Sequence, residues 1–424
     1  MQILCIFFHP QPYITALGGA EKRFLETSRV WIEKGVKIAV IEPEPSLLSK
    51  LAANYQVCAL SQSIRLWEED WLKIYLGWVI WMLKACLVGA FVTKQRRPSI
   101  VLATNNTLPN LIPAYFIHIV SHLPLCVIVH HIDVSSLKTR SNLLQMYHTF
   151  RKIQYDKLPS LLKALAFSIS LFIIRRSNIN IAVSSSTAKT LLINEVPKKR
   201  VYISGNGVNI NYIEKFKFDG NKSYDGVFVG RISKEKGIFS IIKAWQKVTE
   251  VKPNAKIAII GSGVELNKFK KIVADYRLEG NIVILGRCTD KDMYEKMKAS
   301  KVFVFPSLLE GWGLAVAEAL ACGLPVVCYD IPAIREVFGN CKSVFLVPLG
   351  DIDKLASTII EILQMDLNAF ENISKTYVKY FDWDNVSLKD LEIIRCVTNS
   401  KGLGQISNSN EKSNIVNLFD QLNQ

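Results

Sequence analysis

Two carboxylates, Glu310 and Glu318, flank the point where the β-branched run Val302–Phe305 gives way to an Ala-rich apolar segment beginning near Ala315. Between them lie Gly311, Trp312, Gly313 and Leu314. A turn containing Gly311 and Gly313 lets backbone N–H groups approach a ligand closely, and a helix N-terminus behind it favours negative charge. The pattern is a seat for a diphosphate. Glu310 in the loop can reach sugar hydroxyls, and Glu318, about one turn into the helix, can grip a ribose diol as the acidic residue does in dinucleotide-binding folds. Two glutamates at this spacing are a weak signal by themselves, equally compatible with a loop charge and a solvated helix position. Inside Phe-Pro-Ser, Glu-Gly-Trp-Gly-Leu and Glu-Ala-Leu-Ala-Cys-Gly-Leu-Pro-Val-Val the signal is specific.

Opposing charge comes from Arg231 and Lys236, which follow the run Gly226–Val229, with Lys236 expected to open the next helix. Two fixed cations can neutralise a departing nucleoside diphosphate. No Asp-x-Asp pair flanks the site, so metal-independent chemistry is expected, with no metal site and no cofactor besides a nucleotide co-substrate. His130 ends the apolar run Leu125–Val129 and is followed by His131 and by Asp133, a candidate to orient it. A lone histidine is more often structural than functional, and His131 reads as packing. Gly18-Gly19 after the first strand can open a helix whose backbone approaches a phosphate or an acceptor, although taken alone the pair is more commonly an ordinary tight turn.

The stretch Phe305–Val327 resembles the donor-site signature of glycosyltransferase family 4, and the resemblance extends to about residue 390. Gly18-Gly19-Ala20-Glu21, His130 within Val129–Asp133, Gly207-Val208, Gly230-Arg231 and Lys236-Gly237 stand where that family's pattern places them. The resemblance implies a GT-B fold of two facing Rossmann-like domains and retaining transfer of a sugar from a nucleoside-diphosphate sugar to an acceptor hydroxyl. It implies catalytic roles for Glu310, His130, Arg231 and Lys236, with His130 contacting the donor sugar. The implied donor site comprises Gly18, Gly19, Arg231, Lys236, Glu310, Gly311, Trp312, Gly313, Leu314 and Glu318. Three positions depart from the pattern: Trp312 replaces the usual Phe while keeping an aromatic wall, Asn209 replaces an Asp, and His130-His131 replaces a single His. Two other readings stay open: a catalytically silent GT-B partner subunit, against which the intact set of five polar residues argues, and a GT-B epimerase, which would carry extra acids and need no acceptor surface.

These residues need rigid elements to position them. Short β-branched runs alternate with helical patterns in both halves, the signature of parallel sheets covered by helices. The expected strands are Ile3–Phe8, Lys37–Ile41, Ile100–Ala103, Leu125–Val129 and Asn180–Val183, then Gly226–Val229, Lys256–Ile260, Ile282–Leu285, Val302–Phe305, Pro325–Cys328 and Ser343–Val347. With 424 residues the chain divides into two doubly wound α/β domains. The expected organisation is an acceptor-binding domain over 1–205, a donor-binding domain over 206–382, a terminal helix over 383–398 packing back on the first domain, and a polar flexible tail over 399–424. A cleft beyond the carboxyl ends of both sheets is the natural ligand site.

Composition narrows the surroundings. Nine scattered cysteines without a Cys-x-x-Cys pair fit a reducing compartment, and Met1–Phe8 reads as a first buried strand instead of a signal peptide. Of the net charge of +15, the stretch Lys138–Arg200 carries +10, twelve cations against Asp156 and Glu195. Trp67, Trp71, Trp78 and Trp81 recur at helical spacing beside it, as in an interfacial amphipathic helix. A core helix packed on its own sheet has the same spacing. Leu158–Ile174, with Arg175-Arg176, could extend a membrane-facing surface or be a second core helix. An anionic membrane surface and a glycan or lipid-linked acceptor satisfy charge and apolarity together, giving an expected place on the cytoplasmic face of a membrane. Nucleic acid is not expected, because no helix-turn-helix, zinc finger or RNA-binding aromatic motif accompanies the charge.

Overall fold

The computed structural model describes residues 1–9, 18–44, 46–50, 55–61, 71–132, 142–152, 157–218, 220 and 222–399. Trp67, Asp133, Lys138, Arg140 and nearly all of the polar carboxyl-terminal stretch lie outside the described residues.

Among the described residues the first half forms a seven-stranded sheet in the order β3-β2-β1-β4-β5-β6-β7. Its strands are β1 (Gln2–Ile6), β2 (Lys37–Pro43), β3 (Tyr55–Leu60), β4 (Ile100–Ala103), β5 (Leu125–Val129), β6 (Ile179–Ala182) and β7 (Val201–Ile203). The second half forms a six-stranded sheet in the order β10-β9-β8-β11-β12-β13. Its strands are β8 (Tyr224–Val229), β9 (Ile257–Ile260), β10 (Ile282–Gly286), β11 (Ser300–Phe305), β12 (Val326–Tyr329) and β13 (Val344–Val347). Pairing between neighbouring strands is parallel in both sheets, and β4, β5, β6, β9 and β12 are buried at every position, as sheets covered on both faces require. The sequence pattern omits β3 and β7. Both are edge strands, one half-buried along most of its length and the other three residues long, so neither produces an uninterrupted apolar run.

Helices over the first sheet are α1 (Gly19–Glu33), α2 (Trp71–Arg96), α3 (Leu108–Ser121), α4 (Leu143–Lys152), α5 (Lys157–Arg176) and α6 (Ser185–Ile193). A short α7 (Ile210–Glu214) connects the halves. Then come α8 (Ile238–Val251), α9 (Leu266–Asp275), α10 (Asp290–Lys298), α11 (Leu314–Ala321), α12 (Pro332–Phe338), α13 (Ile352–Ile362), α14 (Asn368–Val378) and α15 (Trp383–Asn399). Strand order reverses between β1 and β4 in one sheet and between β8 and β11 in the other. Ligands bind at such switch points, and Gly18-Gly19, Arg231 and Glu310 follow β1, β8 and β11.

Trp78 and Trp81 of α2 do not face outward. Trp81 is fully buried and meets Phe8 edge-on at 4.8 Å between ring centroids, and half-buried Trp78 meets the same ring at 6.0 Å. The stripe that sequence spacing offered to a membrane is therefore, at these two positions, the core face of α2. The opposite face carries exposed aliphatics instead.

Helix α15 returns from the second half to pack along α1. Trp31 Nε1 donates to the Ser387 carbonyl at 2.9 Å, and buried Arg23 donates to Asp390 Oδ1 at 3.0 Å and to Ser204 Oγ at 2.8 Å. Removing one partner of a buried pair strands the other charge, so Asp390→Ala should cost about 3–5 kcal/mol in urea unfolding. Asp384→Ala, which breaks the solvent-exposed Arg29–Asp384 pair, should cost less than about 1 kcal/mol in the same measurement.

Candidate active site

The second half contributes the loop from Pro306 to Gly313. Its α11 begins at Leu314, capped by Gly313 in the left-handed region at φ 100°, so the last loop amides sit at a helix N-terminus. Glu310 is half-buried and pairs with Lys236 Nζ through Oε1. Lys236 closes a single 3-10 turn, Lys234–Lys236, and Gly237 separates it from α8, so the cation precedes that helix instead of opening it. Its ammonium also stands 5.6 Å from the centre of the Phe305 ring. Carboxylate and cation, read separately from the sequence, thus form one unit. Arg231 is exposed after β8.

Trp312 departs from expectation. Its side chain is buried edge-on between Phe338 at 5.3 Å and Phe381 at 5.1 Å, so it fastens the loop from beneath and forms no open aromatic wall. An apolar residue next to a glycine turn is as readily an anchor as a wall, and sequence does not distinguish the two.

The first half contributes His130, directly after β5. Its Nε2 lies 3.2 Å from the Thr104 carbonyl, which only accepts, so Nε2 carries the proton and Nδ1 is the basic nitrogen of the neutral ring. Asn106 clamps the turn from both ends: Oδ1 accepts the His130 N–H at 3.0 Å and Nδ2 donates to the His131 carbonyl at 2.8 Å. Asn106 was not legible as a site residue, because its signal is only an Asn after β4, and Asp133, the expected orienting group, lies outside the described residues. Burial, reinforced by the Arg23 charge, lowers the His130 pKa from 6.5 to about 3. The ring is therefore neutral at neutral pH, suited to hydrogen bonding and not to carrying charge.

The two halves meet at this site. A Cβ built on Gly311 would lie 1.6 Å from the His130 carbonyl oxygen, so only glycine fits. Nearby, Lys22 of α1 pairs with Glu318 of α11. On the far side, Glu336 of α12 accepts from the Ser185 and Ser186 N–H groups at 2.6 Å each, satisfying free donors at the start of α6. Glu21, in the first turn of α1, has its carboxyl pushed up by burial, with His9 and Arg231 close enough to pull it down in part. The structure thus gathers Glu310, Gly311, Lys236 and His130 at one contact and, across the same seam, sets Glu318 against Lys22 and Leu314 against Gly19. Among the described residues, no group of three or more His, Cys, Asp or Glu is placed to hold a metal ion.

Gly311→Ala should force the halves apart, read as a larger radius of gyration in small-angle scattering with the melting temperature of each half retained. His130 adds a pH signature. Its folded pKa lies below the unfolded value, so the unfolded chain binds the extra proton first and stability falls as pH drops from 6.5 toward about 3. In urea titrations at stepped pH, His130→Gln should show a shallower acid decline than the unsubstituted protein.

Residues 17–212 match the family model Glycosyltransferase Family 4, and residues 211–378 match the model Glycosyl transferases group 1. O-antigen chain mannosyltransferase B of Escherichia coli is 29% identical over 39% of this chain and 44% of its own length. The phosphatidyl-myo-inositol mannosyltransferase of Mycolicibacterium smegmatis is 29% identical over 43% of this chain and 47% of its own. From Campylobacter jejuni, N-acetylgalactosamine-N,N'-diacetylbacillosaminyl-diphospho-undecaprenol 4-alpha-N-acetylgalactosaminyltransferase is 31% identical over 36% and 42%. The chain spans about a third of the length of an archaeal glycosyltransferase that it matches at 34% identity, and less than half of each of these three relatives. Among solved structures, Anabaena HepE in complex with UDP and glucose superposes with a TM-score of 0.68 over 92% of this chain and 98% of its own, at 17% identity. Sucrose-phosphate synthase from Thermosynechococcus elongatus gives 0.72 over 94% and 99%, also at 17%. With one family model on each half and this shared two-sheet architecture, the chain belongs to glycosyltransferase family 4 and has the GT-B fold.

Proposed function

We propose that this protein is a retaining, metal-independent glycosyltransferase that moves a hexosyl group from a nucleoside-diphosphate sugar to an acceptor hydroxyl. The observation that carries the reading is the Glu310–Lys236 pair held against the His130 turn where both sheets switch strand order. In this reading residues 206–382 bind the donor and residues 1–205 present the acceptor. Arg231, Lys236 and the amides of Gly311–Leu314 stabilise the leaving diphosphate, which itself accepts the proton of the acceptor hydroxyl. Glu310 holds the donor sugar, His130 hydrogen-bonds it through a neutral ring, and Glu318 takes the ribose.

The acceptor is a lipid-linked glycan, and the enzyme works at the cytoplasmic face of a membrane. Two of the relatives carry a phosphatidylinositol or a diphospho-undecaprenol in their names. The surface of the first half supports the same assignment here. Exposed Leu76, Val79, Leu83, Leu87 and Phe91 stripe one face of α2, and exposed Leu158, Leu161, Leu165, Ile169 and Phe172 stripe one face of α5, with α3 packed against both. The sequences of α2, α3, α4 and α5 contain no Asp or Glu, while Lys94, Arg96, Arg175 and Arg176 stand at helix ends. Aliphatic faces rimmed by cations suit anionic headgroups. Both α2 and α5 are long and apolar enough to cross a membrane by length and composition. Their inner faces are packed on the domain, however: Trp81 and Ala85 of α2 and Leu171 and Ile174 of α5 are buried. Lying on the bilayer keeps that packing and wets only the outer stripe with lipid. The nine cysteines form no disulfide among the described residues, as a reducing compartment favours.

With UDP-, GDP- and ADP-sugars and membrane extracts as acceptor, Arg231→Ala and Glu310→Gln should each lower transfer on the order of 100-fold; wild-type rates from both variants would overturn the assignment. In flotation with vesicles containing anionic phospholipid, Leu83→Glu/Leu87→Glu should abolish binding that the unsubstituted protein shows at low salt.

A further inference from the structure

Glu318 is held from across the seam. Lys22 Nζ and Tyr294 Oη both donate to its Oε1, the tyrosine at 3.0 Å, and Lys22 also donates to Tyr294 Oη at 2.8 Å. Tyr294 belongs to α10 of the same half as Glu318 and is buried, whereas Lys22 comes from α1 of the other half. Among the described residues no hydrogen bond is made to Glu318 Oε2. One carboxylate oxygen is thus fully engaged and the other is left to a ligand.

The placement follows from two helix starts facing each other. A Cβ on Gly19 would lie 3.0 Å from Leu314 Cδ1, so the first turns of α1 and α11 abut. One turn further in, Lys22 and Glu318 come opposite each other. A cation in the first turn of a helix opposes the helix dipole, and burial opposes its charge as well. Lys22 nevertheless keeps its proton: burial pulls its pKa down, but Glu318, Asp290 and Glu26 outweigh it. A lysine retained against both penalties has to be held by its carboxylates.

We propose that Lys22 is a positioning residue for the nucleotide ribose. By fixing Oε1 of Glu318 from the opposite half, it presents Oε2 to the ribose diol and makes nucleotide affinity depend on the two halves being closed on each other. The inference rests on reading Glu318 as the ribose carboxylate, and it adds a second donor-site contribution, beside that of His130, from the half that presents the acceptor.

The test measures calorimetric affinity of the full chain for whichever of UDP, GDP and ADP binds most tightly, and for that nucleotide's 2′,3′-dideoxy analogue. The unsubstituted protein should prefer the ribonucleotide by roughly tenfold or more, the scale of a hydrogen bond to a charged group. Lys22→Met should erase that preference while leaving dideoxynucleotide affinity unchanged, and Lys22→Arg should restore part of it. In turnover, Lys22→Met should raise the donor KM with little change in kcat. Unchanged dideoxynucleotide binding also certifies that the variant is folded; should Lys22→Met not fold, Tyr294→Phe reports on the same oxygen and should weaken the preference. If the unsubstituted protein does not distinguish the two nucleotides, the ribose reading of Glu318 fails. If it does and Lys22→Met distinguishes them equally well, Glu318 stands and the role of Lys22 is refuted. Equal loss for both nucleotides would make Lys22 a structural tie only, and tighter ribonucleotide binding would make it a competitor for Glu318; either result overturns the proposal.

Discussion

The distance between the two halves at the site is set by the His130 carbonyl oxygen and the absence of a side chain at Gly311. With no room for even a methyl group between them, the loop from Pro306 to Gly313 rests directly on the backbone of the other half. Everything else at the seam depends on that approach. Glu310 and its partner Lys236 are carried to the His130 turn, α1 and α11 meet end to end, and Lys22 can span to Glu318. The contact is polar at its centre and close-fitting, and Glu336 on the starting amides of α6 repeats the same logic on its far side.

Charge divides structural from functional groups in a way burial makes visible. Arg23 and Asp390 are taken fully out of water and pair with each other, binding the returning α15 to α1. That pair contributes geometry, and its worth lies in what breaking it would cost. Arg231 is exposed, and Lys236 is half-exposed on a turn. Cations that remain accessible at the ends of strands are free to meet an anionic ligand. His130 belongs to a third kind: burial keeps it neutral, which restricts it to hydrogen bonding.

The first half shows how one periodicity supports opposite surfaces. Tryptophans at helical spacing in α2 are compatible with an interfacial helix and with a core helix, because spacing identifies a face but not its neighbour. Phe8, two residues beyond β1, decides the matter by packing against Trp78 and Trp81. The surface assigned to lipid is then the aliphatic back of α2 together with that of α5, a face that an argument from aromatic residues overlooks. The feature that did carry through from sequence is the basic balance of the stretch that contains α5.

Sequence alone determined the alternation of strands and helices, the two-sheet class and the positions of the strand-end motifs, because buried parallel strands are nearly continuous apolar runs and glycine turns follow them. It placed Glu310, Arg231, Lys236 and His130 correctly at the carboxyl ends of their strands. It did not reveal edge strands β3 and β7, whose half-buried or very short segments leave no such run. Only the tertiary structure decided that Lys236 pairs with Glu310, that Trp312 turns into Phe338 and Phe381, that Asn106 and Thr104 fix His130, and that Lys22 reaches Glu318. Each of these joins residues far apart in the chain, the last of them across the seam, and local periodicity holds no information about which strand ends face each other.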